Sequence, residues 1–223
     1  MRSEAREQWP ASAPRANDAG VSARLAYHYL TAVDIEGFSA LHALDQVQTQ
    51  TDLGQVLDIA ATRAHLNRAL WHVQQRGDGE LAVLPPDIDG PCLIANYPQE
   101  LAGALSELNA ERRRRLRIRV AIHHGTLAEG RFGPVGQGPI VVSRLLESQE
   151  LRSYLAQRVE LDLVLIVSAS LHHDVIETRF RRLDPANYVR TDMHAKGRSY
   201  PAYIYRGDHV TSINKRQKAE IAS

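Results

Sequence analysis

The chain is predicted to be an α+β protein on a mixed or antiparallel sheet, and three observations support this. Apolar runs of strand length alternate with stretches whose apolar residues recur at helical spacing, so helices and strands are interleaved. Arg76-Gly77-Asp78-Gly79-Glu80 is the tightest hairpin signal present, and a hairpin joins two antiparallel strands directly. A length of 223 residues with 43% apolar content suits one domain of moderate size plus tails.

Taken in order, residues 1–24 carry Pro10, Pro14 and many Ala, Ser and charged residues, the composition of a flexible leader before a domain over residues 25–206. A first strand is expected over residues 27–33, where Gly37 and Ser39 stop it and leave Asp34 at the mouth of a turn. Asp52 and Gln55 have capping-box spacing, so a helix is expected to start near Asp52 and carry Val56, Ile59, Leu66 and Leu70 toward the core. After the hairpin, Pro85, Pro86, Gly90 and Pro91 make a firm break, and Leu101, Leu105 and Leu108 mark the next helix. The basic run Arg112-Arg113-Arg114-Arg115 then joins that helix to a strand over residues 116–123, and is expected to be a solvated helix end facing the negative pole of the dipole. A Gly-rich loop over residues 125–138, a helix over 141–155, a strand over 161–167, short closing elements and a polar tail over 207–223 complete the plan.

Composition excludes several classes of function. A formal net charge of +1 gives no global pull toward nucleic acid or a membrane surface. The single cysteine, Cys92, cannot form an intrachain disulfide, no Cys/His zinc pattern is present, and burial in a reducing compartment is its expected fate. Apolar runs such as residues 163–167 fall far short of the roughly 20 residues that span a bilayer. Residues 1–25 lack the apolar core of a signal peptide. A cytoplasmic protein with neither nucleic acid nor membrane as a partner is the expectation. His123-His124 is assigned to strand packing or turn closure, and His172-His173 to the surface.

The chemistry concentrates in two acidic motifs, Asp34-Ile35-Glu36-Gly37-Phe38-Ser39 and Gly77-Asp78-Gly79. Each has an ordinary structural meaning: an Asp that ends a strand caps a helix, and an Asp between glycines makes a turn. If the two strands are neighbours, however, the carboxylates converge, which is how hard divalent cations are held beside nucleotide phosphates.

Both motifs, in this order, resemble the class III nucleotidyl cyclase domain, the fold of adenylyl and guanylyl cyclases. The likeness continues in Leu116-Arg117-Ile118-Arg119-Val120-Ala121-Ile122-His123-His124-Gly125, in Val141-Val142-Ser143-Arg144-Leu145-Leu146-Glu147-Ser148, in Leu165-Ile166-Val167-Ser168, and in Ala195-Lys196-Gly197-Arg198-Ser199-Tyr200-Pro201-Ala202-Tyr203-Ile204-Tyr205. These blocks cover about residues 26–206 in the right order. The resemblance implies a ferredoxin-like βαββαβ core with additional closing elements and a homodimer with shared active sites. It implies two divalent cations, Mg²⁺ or Mn²⁺, held by Asp34, Asp78 and the backbone carbonyl of Ile35. It also implies that the amides of Glu36, Gly37 and Phe38 meet the phosphates, that Arg144 stabilises charge on the α-phosphate, and that Lys196 places a cation on the triphosphate.

The departures from the family pattern bear on activity. Four residues before Arg144, where the family carries an Asn that orients the ribose, stands Ile140, whose side chain makes no hydrogen bond. Gln74 occupies the position where adenylyl cyclases have Lys and guanylyl cyclases Glu, and Gly133 falls where a second base-reading Asp is expected. The chain is similar in this to the free-standing pyrimidine cyclases of bacterial antiphage (Pycsar) systems, which make cyclic UMP or cyclic CMP for a neighbouring effector. An adenylyl cyclase with altered base contacts and a regulatory pseudocyclase that binds nucleotide without turnover stay open beside that reading.

Overall fold

The structure, a computed structural model, describes residues 24–206. The leader and tail expected from the sequence lie outside the described residues, apart from Arg24.

The first elements are β1 (Ala26–Ile35), α1 (Ala43–Arg63), β2 (His72–Arg76), β3 (Gly79–Val83), α2 (Gly90–Ala95), α3 (Tyr97–Glu111) and β4 (Ile118–Gly130). Their sheet order is β2-β3-β1-β4 with every pair antiparallel, the βαββαβ core that the family resemblance implies. The chain continues through β5 (Gly133–Val135), α4 (Gln137–Leu146), α5 (Gln149–Ala156), β6 (Leu163–Ser168) and α6 (Ala169–Asp174) to the hairpin of β7 (Tyr188–Ala195) and β8 (Arg198–Tyr205). Because α4 and α5 intervene, β6 pairs parallel to β4, and β8 and β7 extend that side of the sheet. The sheet is therefore mixed and the fold α+β.

Strand alternation builds a core on each face. Val33 and Ile35 of β1 join Val56 and Leu57 of α1 and Leu101 and Leu105 of α3 on one side. Leu30 and Ala32 join Val142 and Leu145 of α4 and Leu151 and Leu155 of α5 on the other. The same period turns Asp34 toward the α4–α5 face, at the end of β1 where the apolar series stops.

Several expectations are corrected. The first long helix begins at Ala43 and not at Asp52; Asp52 lies inside it, buried, taking a hydrogen bond from Gln48 Nε2 (2.9 Å) and an ion pair from Arg112. A carboxylate with a cationic partner beneath the helix is stable there without serving as a cap. The buried stripe is Leu53, Val56, Leu57, Ala60 and Ala61, so Ile59 faces outward, while Leu70 lies beyond the helix and is exposed. Residues 125–138 are not an open loop, since β4 runs through Gly125 to Gly130 and β5 folds back on it. The helix expected over 141–155 is two helices, because Ser148 Oγ caps α5 by accepting from the Leu151 amide (3.4 Å). The basic run is more than a solvated end, for Arg112 and Arg115 both make ion pairs. His172 is buried and stacked on Tyr203 at 3.7 Å, so only His173 of that pair is exposed.

Candidate active site

Asp34 and Asp78 come together because β1 and β3 are paired with Asp34 opposite Gly79. The Ile35 amide donates to the Asp78 carbonyl at 2.8 Å, which ties the hairpin tip to the end of β1. Gly79 makes the approach possible, since a Cβ there would stand 1.9 Å from the Val33 carbonyl oxygen. Burial pushes the Asp34 carboxyl above the ordinary carboxylate range, Arg119 opposes that shift through its charge and hydrogen bond, and the Asp78 charge adds to it. A cation between the two carboxylates would offset both causes of the rise.

Arg119, on β4 directly opposite Asp34, forms the ion pair with it, and its Nε is buried with no partner. Arg152 of α5 adds a further positive charge near Asp34. Sequence reasoning gave no role to either arginine. The signals for Arg119 were its place in the family-like block that ends at Gly125 and in the alternation Arg117, Arg119 against Ile118, Val120, Ile122; Arg152 gave none.

Among the described residues no group of three or more His, Cys, Asp or Glu side chains could hold a metal ion. Two carboxylates nevertheless fit the chemistry of Mg²⁺ and Mn²⁺ beside a nucleotide, where substrate phosphates and water complete the oxygen shell. The side chain of Ile35 is buried in the core.

Gly37 adopts a left-handed conformation (φ 69°, ψ 19°) and starts a short turn over Phe38–Ala40. The Glu36 amide donates to the Arg117 carbonyl (2.9 Å), and the Glu36 carboxylate takes a 2.5 Å ion pair from Arg117. Of the three amides anticipated for phosphate, that of Glu36 is thus committed to the sheet.

The two positions that the resemblance assigns to base reading also meet. A Cβ on Gly133 would lie 3.4 Å from Gln74 Nε2, so the end of the β4–β5 arm reaches β2. Arg76 Nη2 donates to Ser143 Oγ (3.3 Å), binding the same strand to α4. Arg144, on α4, pairs with Glu147 at 2.9 Å, and Ile140, one turn earlier, is 44% exposed. Lys196 is exposed at the tip of the β7–β8 hairpin with φ 49°, at the sheet edge opposite β2. No hydrogen bond or ion pair joins Gln74, Arg144 or Lys196 to Asp34 or Asp78 among the described residues.

This is the fold of class III nucleotidyl cyclase catalytic domains. The guanylyl cyclase Cya2 superposes with a TM-score of 0.57 at 17% identity over 82% of this chain and 92% of that one. An adenylate/guanylate cyclase/hydrolase from Silicibacter pomeroyi gives 0.56 at 18% identity over 83% and 99%. The adenylyl cyclase CyaB from P. aeruginosa gives 0.53 at 16% identity over 82% and 95%. No protein-family model matches the chain. No curated protein matches it either.

Proposed function

We propose that the protein is a divalent-cation-dependent nucleotidyl cyclase that converts a nucleoside triphosphate to a 3′,5′-cyclic nucleotide and pyrophosphate, and works as a homodimer with shared sites. The observation that carries this reading is the convergence of Asp34 and Asp78 beside the Gly37 turn, with the buried, partnerless Nε of Arg119 next to them. Asp34, Asp78 and the Ile35 carbonyl would hold two cations, Mg²⁺ or Mn²⁺, which when bound lower the pKa of the ribose 3′-hydroxyl and neutralise phosphate charge. The amides of Gly37 and Phe38 donate to phosphate oxygens, and Arg119 turns its fork from Asp34 to the triphosphate.

Arg144 of one subunit then steadies the charge that grows on the α-phosphate over the carboxylates of the other, with Lys196 on the triphosphate. The exposed apolar side chains Phe132, Val135 and Ile140, on the β4–β5 arm and α4, are the surface this dimer would cover. Gln74 and Gly133 bring one neutral amide and no charge to the base, and a donor–acceptor amide suits a pyrimidine edge. The product is then cyclic UMP or cyclic CMP, an antiphage second messenger for a cyclic-nucleotide-responsive effector in the cytoplasm. No helix among the described residues is long and apolar enough to cross a membrane. An adenylyl cyclase with altered base contacts is what the same amide would also allow. Ile140 favours a second reading, a pseudocyclase that binds nucleotide and regulates a partner.

The test is incubation of the purified protein with Mn²⁺ and, separately, ATP, GTP, CTP and UTP, with products identified by mass. A cyclic pyrimidine nucleotide is the expected product; cyclic AMP would reassign the base, and no product from any of the four would favour the pseudocyclase. Asp34→Ala and Asp78→Ala should each lower turnover about a hundredfold or more, and activity that survives either change removes the metal assignment.

A further inference from the structure

We propose that Arg114 is a phosphate-binding residue of this site, gripping the outer phosphates of the bound triphosphate; the proposal rests on the cyclase reading above. The segment from Arg112 to Arg119 carries six arginines, and four of them have carboxylate partners. Arg112 pairs with Asp52, Arg115 with Asp162, Arg117 with Glu36 and Arg119 with Asp34. Arg113 and Arg114 are exposed and make no side-chain ion pair or hydrogen bond among the described residues.

Arg114 differs from Arg113 in its position. Its Nη2 lies 3.4 Å from where a Cβ on Gly37 would stand, against the left-handed turn whose amides are free of the sheet. Beside it is a cavity of about 490 Å³ lined by the four consecutive arginines together with Glu36, Asp45 and Thr49. Glu36 is neutralised by Arg117, and Asp45 is exposed and makes no ion pair, so the unpaired side chains leave a surplus of positive charge.

The loop is also held in place. Arg112 Nε donates to the Arg114 carbonyl at 3.1 Å and its Nη2 donates to Thr49 Oγ1 at 3.4 Å, while Asp52 inside α1 pairs with the same guanidinium. A largely buried Asp–Arg pair, here between α1 and the end of α3, adds little to stability against an apolar replacement. Here it acts as a bracket that sets Arg114 at the turn, and so positions a planar fork where phosphate oxygens would meet the Gly37 and Phe38 amides. On departure of pyrophosphate, Arg114 would stabilise the charge gained by the leaving group.

The experiment measures binding of tripolyphosphate, with Mn²⁺ present, by titration calorimetry on the full chain, and beside it the KM for the preferred nucleotide and inhibition by pyrophosphate. Arg114→Ala should weaken all three by roughly tenfold. Arg113→Ala, which removes the same charge one residue away, should change them less than twofold. Equal losses in both variants, no loss in Arg114→Ala, or no binding of tripolyphosphate by the unsubstituted protein would overturn the proposal. The binding arm separates the two readings: Arg114-dependent binding without any cyclic product overturns the cyclase assignment alone, whereas normal cyclisation with unchanged binding in Arg114→Ala overturns the role of Arg114 alone.

Discussion

His123 is buried on β4 with its Nδ1 2.7 Å from Ser168 Oγ, and burial, helped by the neighbouring His124, pushes its pKa from 6.5 down to about 4. The sign follows from proton binding. Between those two values the unfolded chain binds the proton and the folded chain does not, so stability is present above 6.5 and is lost as pH falls toward 4. The loss for this one residue is about 3 kcal/mol. Urea midpoints measured from pH 7 to pH 4 should fall steeply, and His123→Gln should flatten that acid limb; an unchanged slope would show that the ring is not held neutral. His124 and His172 are shifted in the same direction, so the flattening is partial. At this scale the placement of Asp34 at a strand end and of Asp78 in a turn, and the structural use of His123, were legible, because each sits in a local pattern of strand end, turn or alternation. The sequence did not reveal that Asp52 is a buried partner of Arg112 or that His172 stacks on Tyr203, since both depend on residues distant in the chain.

The β2–β3 hairpin tests how an element positions the carboxylate proposed to bind metal, because Asp78 lies between two glycines of different surroundings. A Cβ on Gly77 meets nothing within 4 Å, whereas a Cβ on Gly79 would collide with the Val33 carbonyl at 1.9 Å and the Asp34 Cα at 2.9 Å. Backbone atoms cannot step aside as a flexible side chain can, so Gly79→Ala must open the β1–β3 ladder beside Asp34. Overpacking of this kind costs about 1–3 kcal/mol, and it should also remove cyclisation by moving Asp78 away from Asp34. Gly77→Ala should leave the unfolding midpoint and turnover near their original values. If Gly79→Ala kept full activity, the close pairing of the two strands would not be what assembles the site. Element order was legible because a Gly-Asp-Gly hairpin pairs its own two strands directly, whereas the pairing of β3 with β1 that brings the two acidic motifs together stood in the sequence only as a condition, since β1 is distant in the chain. Boundaries were less legible: Ser148 splits one helical pattern into α4 and α5, and β4 continues through glycines that resemble a loop.

In the whole molecule, no hydrogen bond or ion pair joins Arg144 to the carboxylate pair among the described residues, and that separation calls for an account. Asp34 lies at the end of β1 and Arg144 on α4 pairs with Glu147, while Lys196 stands at the far edge of the sheet. A two-fold dimer resolves this if each site takes its carboxylates from one subunit and Arg144 from the other. The arrangement predicts complementation between inactive variants. Asp34→Ala alone spoils the carboxylates of both sites, and Arg144→Ala alone spoils the arginine of both. Mixed after unfolding and refolding together, half of the dimers pair one subunit of each kind, and every such dimer has one intact site and one doubly defective site. Equal mixtures should therefore recover about a quarter of the unsubstituted activity, measured as cyclic product per protein after confirming dimers by light scattering. Recovery depends on the two lesions falling in different subunits of the same site, so mixing Asp34→Ala with Asp78→Ala, which share a subunit's half, should recover nothing. If the first mixture stayed silent while dimers formed, Arg144 and the carboxylates would have to act within one chain, and α4 would have to move toward the end of β1 to bring them together.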